Sequence, residues 1–77
     1  MMSNINPEFV FPIETALLMV ARSILRDCRA RRDFRDAFFR LSDIRSAVHF
    51  SLGVNHPLFK QITVASDAVI MGEWPDL

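Results

Sequence analysis

The stretch from Arg22 to Leu52 constrains this chain more than any other part of it. It contains no Gly or Pro, and it holds eight of the nine basic residues, all of them Arg. Its apolar residues Phe34, Ala37, Phe38, Leu41, Ile44, Val48 and Leu52 recur at three- and four-residue spacing. That spacing paints one face of a helix, not the alternating faces of a strand. An amphipathic helix needs something to cover its stripe. The rest of the chain is therefore read as partner elements.

A single helix over the whole stretch would fail on phase. At 100° per residue, the stripe of residues 34–52 is turned by roughly 100° from the stripe of residues 13–28. One straight helix cannot present both to a common core. A break is expected near Ala30–Asp33, with Asp33 as N-cap and Asp36 in the first turn of the second helix. Arg45 falls inside the second stripe, so Ser42-Asp43 is expected to start the helix afresh or kink it there. Gly53 should stop this helix, with Val54 folding back as its hydrophobic contact.

The first helix is expected to begin at Pro12, with Ile13, Leu17, Val20, Ala21, Ile24 and Cys28 on its buried stripe. Arg22, Arg26 and Arg29 share the opposite face. Ahead of it, residues 1–11 read as an arm. Asn6 and Pro7 would cap and open one helical turn. Pro12 is expected to interrupt that turn, leaving Phe9, Val10 and Phe11 extended. Pro57 opens a third helix carrying Leu58, Phe59, Ile62, Ala65 and Val69, and Gly72 ends it. The β-rich runs Ile62-Thr63-Val64 and Val69-Ile70 leave a hairpin as the rival for this segment. Residues 73–77 form a tail whose Trp74 folds back. The expected fold is thus all-α: one three-helix bundle with helices near 12–30, 33–52 and 57–71 and short arms at both ends. Leu17, Val20, Ile24, Phe34, Phe38, Leu41, Val48 and Ile62 are its expected core.

Composition matters at this point. A chain of 77 residues buries only roughly 60–65% of its unfolded surface. Yet 51% of it is hydrophobic, including seven Phe and one Trp. The single Cys28 allows no internal disulfide to make up for a small core. A lone cysteine also suits a reducing compartment, so a cytoplasmic location is expected. The mismatch between apolar content and size predicts burial against another chain. Phe39 and Phe50 lie opposite the main stripe. With Phe9, Phe11 and Trp74 in the arms, they are the candidate partner interface.

The formal net charge is zero but unevenly spread. Residues 22–45 carry eight Arg against Asp27, Asp33, Asp36 and Asp43. Regular Arg on one helix face can track phosphates, which makes Arg22, Arg26, Arg29, Arg31, Arg32 and Arg35 a candidate anion or nucleic-acid surface. The competing reading is a solvated, salt-bridged face. The segment from Arg29 to Asp43, ending Arg40-Leu41-Ser42-Asp43, resembles the run before Leu-Ser-Asp in short Arg-rich bacterial domains of unknown function. The resemblance covers about a fifth of the chain, and the Asp-Ile-Gly ending of that pattern is missing.

Other chemistry finds no purchase. Cys28, His49 and His56 have no metal-ligand spacing, so no metal or other cofactor is expected. Cys28 on an apolar stripe is a poor nucleophile, and neither Gly belongs to a phosphate loop. The expectation is a non-enzymatic module for protein–protein interaction. It would self-associate or dock on a larger partner, to regulate or inhibit it. A nucleic-acid-binding regulator is the alternative. Residues 9–26 as an interfacial membrane helix fit poorly, because Glu14 interrupts them and apolar residues lie all round.

Overall fold

A computed structural model of the chain describes the backbone from Pro7 to Leu77 and the side chains from Pro12 onward. Three helices follow in order: α1 (Pro7–Arg31), α2 (Phe34–Leu52) and α3 (Pro57–Ile70). They pack as a small all-α bundle. The middle helix α2 packs against both neighbours, whereas α1 and α3 touch only slightly. The Arg-rich stretch therefore does organise the molecule.

Two tight junctions set this arrangement. At the end of α1, the Asp33 N–H donates to the Cys28 carbonyl and the Arg32 N–H to the Arg29 carbonyl. This is the Schellman pattern with Arg32 in the left-handed position, at φ 55°. Asp33 then caps α2, its carboxylate accepting the Asp36 N–H at 2.9 Å. Between α2 and α3, Gly53 turns at φ 94°, a conformation that side-chain-bearing residues resist. Pro57 opens α3, and the His56 Nδ1 accepts the Leu58 N–H at 3.0 Å as its N-cap.

The core joins Ala21, Ile24, Leu25 and Cys28 of α1 to Ala37, Leu41 and Val48 of α2. Leu58, Ile62, Ala65 and Val69 of α3 complete it. Leu17, Phe34 and Phe38 pack on its margin, half-buried. Trp74 folds back as expected and stacks on Phe34, with ring centroids 4.1 Å apart. The hairpin alternative for residues 60–71 is excluded, since Pro57–Ile70 is one helix.

Four expectations are corrected. First, the helix does not wait for Pro12: residues 7–11 are helical rather than extended. Pro12 lies inside the helix and forgoes one helical hydrogen bond without ending it, and Pro7 is suited to a first turn. The expected Asn6 cap and the side chains of Phe9 and Phe11 lie outside the described residues. Second, α2 does not restart at Ser42-Asp43. The Ser42 hydroxyl instead donates back to the Phe38 carbonyl at 2.9 Å. Arg45 escapes the core by laying its guanidinium over the Phe59 ring, 5.1 Å from its centroid.

Third, Val20 is 46% exposed and not core. The buried side of α1 is turned by about 50° from the expected stripe, away from Ile13 and Val20 and toward Leu18 and Leu25. On that side Leu18 lies beside Pro57 and Val64 of α3 and Leu25 beside Trp74 and Pro75 of the tail. Fourth, Val54 does not cover the end of α2, because half its surface is exposed.

Candidate functional site

Three polar or apolar surfaces stand apart from the core. The first is an ion-pair network where α1 meets α2. Arg31 pairs with Asp36 at 2.7 Å, Asp27 at 3.0 Å and Asp33 at 3.3 Å. Arg40 reaches Asp27 at 3.3 Å and Asp36 at 3.6 Å. The Cys28 thiol sits beneath this network, 3.7 Å from the Asp36 carboxylate and 3.4 Å from the Arg31 guanidinium. Burial pushes the thiol up from its ordinary value, and the Asp36 charge adds to the effect. The hydrogen bond from Arg31 holds the Asp36 carboxyl below the usual carboxylate range. A buried, protonated thiol is no nucleophile.

This network also divides the Arg cluster. It draws in three of the four Asp of the Arg-rich stretch but only Arg31 and Arg40. The other six Arg of that stretch, Arg22, Arg26, Arg29, Arg32, Arg35 and Arg45, take no part in it. The neutralised-face reading therefore holds for Arg31. It does not hold for Arg26 and Arg29, exposed on α1 and in no ion pair among the described residues, while Arg22 beside them is bonded to the tail. Arg32 is exposed at the junction, and Arg35 stands over the Phe39 ring at 5.8 Å.

The second surface is a groove between that Arg row and the tail, about 510 Å³ in volume. Leu25, Arg26, Arg29 and Ala30 line it from α1, and Trp74 and Pro75 line it from the tail, so apolar and cationic side chains share the groove. At one end the Arg22 Nε donates to the Leu77 backbone oxygen at 2.6 Å. Sequence reasoning found the three Arg but missed the apolar wall.

The third surface is the outer face of α2. Phe39 is 56% exposed and Phe50 86% exposed. By helical phase they point opposite the buried Ala37, Leu41 and Val48, as the sequence implied. Eleven residues separate them, about 16 Å along the axis. The His49 ring stacks on Phe50, with centroids 5.1 Å apart. Of the other expected interface residues, Trp74 is committed to Phe34 within the bundle. The side chains of Phe9 and Phe11 are not among those described.

The histidines lie apart in their surroundings. His49 lies against Phe50 and Phe59. His56 caps α3 through Nδ1 and points Nε2 at Glu14, 3.3 Å away. Among the described residues no three His, Cys, Asp or Glu side chains gather as a metal site. Nor is any described helix long and apolar enough to cross a membrane. No protein-family model, curated protein or solved structure matches the chain.

Proposed function

We propose that the chain is a non-enzymatic protein–protein interaction module. It docks through the outer face of α2, on a second copy of itself or on a larger partner that it regulates. One observation carries this reading: two large aromatic rings stand exposed three helical turns apart on the face opposite the core. Phe39 and Phe50 share one line of the helix, with the polar Asp43 and Ser46 between them, so they can serve as two separate apolar anchors.

Size limits the affinity. A Phe side chain offers roughly 150–250 Å², so the exposed parts of both rings supply about 200–350 Å² per chain. A standard interface buries about 800 Å² per partner. The rings would form the centre of a patch completed by Arg35, Ser46 and Val54. Association should be reversible and concentration-dependent. Light scattering across a wide concentration range tests this. The expected result is a wild-type mass that rises with concentration and a Phe39→Ser/Phe50→Ser variant that stays monomeric and helical. A wild type that remains monomeric, together with a variant that unfolds, would remove the reading.

The Arg row supports a second reading, a nucleic-acid-binding regulator. Arg26 and Arg29 pair with no carboxylate among the described residues and lie a turn apart. Arg26→Ala should then weaken binding to any oligonucleotide and lower the salt slope by about one. Absence of binding at low salt removes this reading.

A further inference from the structure

We infer that the groove between α1 and the tail is a binding site for a small amphipathic monoanion: an apolar body carrying one carboxylate or phosphate head. The groove is about 510 Å³, within the range of small-molecule sites. It combines the two things such a ligand needs. Leu25, Ala30, Trp74 and Pro75 offer an apolar wall for the body. Arg26 and Arg29, three residues apart on one helix face, offer two guanidiniums to one head.

The ends of the groove differ, and the difference orients the ligand. Arg22, Asp76 and Leu77 also line a second groove, about 520 Å³, that continues between α1 and α3 past Leu18 and Val64. These three residues therefore mark the junction of the two grooves. Asp76 puts a negative charge at that junction, and Arg22 already donates to the Leu77 oxygen there. Repulsion from Asp76 places the head at the other end, between Arg26 and Arg29. The apolar body then runs along Trp74 and Pro75 toward the junction. A nucleic-acid strand needs a continuous basic track, whereas here Asp76 stands between the Arg26 and Arg29 rim and Lys60 of the second groove.

Trp74 is the chain's only tryptophan and lines the groove, so the site carries its own probe. The full chain is titrated below micelle-forming concentrations with decanoate, decyl phosphate, decanol and inorganic phosphate, following Trp74 emission. The two amphiphilic anions should give a saturable, single-site change. Decanol and inorganic phosphate should each bind at least tenfold more weakly. Arg26→Gln/Arg29→Gln should weaken anion binding at least tenfold with its circular dichroism unchanged. Phe39→Ser/Phe50→Ser should bind like the wild type, which separates this site from the outer face of α2. The inference is overturned by no saturable change, by decanol binding as well as decanoate, or by full binding in the double-Gln variant. A single-stranded oligonucleotide that binds through Arg26 and Arg29 where the amphiphiles do not would also overturn it, in favour of the nucleic-acid reading.

Discussion

Arg32 is the residue least suited to its backbone. It holds φ 55° at the end of α1, where Gly is the usual occupant, and no ion pair among the described residues involves its side chain. A side-chain-bearing residue costs about 1–2 kcal/mol in this conformation, partly offset because Gly loses more entropy on folding. Arg32→Gly should therefore stabilise the fold by about 0.5–1 kcal/mol, read as a rise in thermal midpoint. A fall would show that Arg32 makes a contact that matters more than its strain. Two neighbours set the pH response. The folded-state value of Asp36 is lowered, so its contribution is present above the ordinary value of 3.8 and is lost as pH falls through and below it. Cys28 is shifted the other way. Its contribution is present below 9.0 and is lost as pH rises toward the raised folded value. Urea midpoints measured from pH 2.5 to 10.5 should fall at both ends. Asp36→Asn should flatten the acid limb.

Among the elements, α2 was the most legible in sequence and α1 the least. The stripe of α2 predicted its buried residues because one helix face meets both neighbours. On α1 the same method chose Val20 and passed over Leu25. Periodicity finds the mean apolar direction, but Ile13 and Val20 pulled that mean toward solvent. Leu25 also shares its groove with tail residues some fifty positions away, which no local pattern encodes. Leu25→Ala should thus cost about 2–5 kcal/mol in unfolding free energy. Val20→Ala should stay within about 1 kcal/mol. Equal costs would mean the helix is turned as the sequence first implied. In α3, β-branched Val64 and Ile70 are exposed, so their strand propensity was overridden by packing of Leu58, Ile62, Ala65 and Val69.

The whole molecule explains why its surface was only half legible. Phe39 and Phe50 could be placed on the outer face from spacing alone, because the core-facing side of α2 was so clearly marked. The groove beside Arg26 and Arg29 could not, because it exists only once the tail lies along α1. Ion pairing was hidden for the same reason: Arg40 meets Asp27 across two helices, 3.3 Å apart. The central claim is that α2 uses its inner face to fold and its outer face to dock. Urea unfolding of the wild type and of Phe39→Ser/Phe50→Ser, each repeated over a hundredfold range of protein concentration, tests both halves together. Binding of the native state to another copy raises stability by mass action. The wild-type midpoint should therefore climb with concentration. The variant's midpoint should stay constant and match the dilute wild type to within about 0.5 kcal/mol. A wild-type midpoint independent of concentration, with a variant several kcal/mol less stable, would assign both rings to the fold and contradict the account.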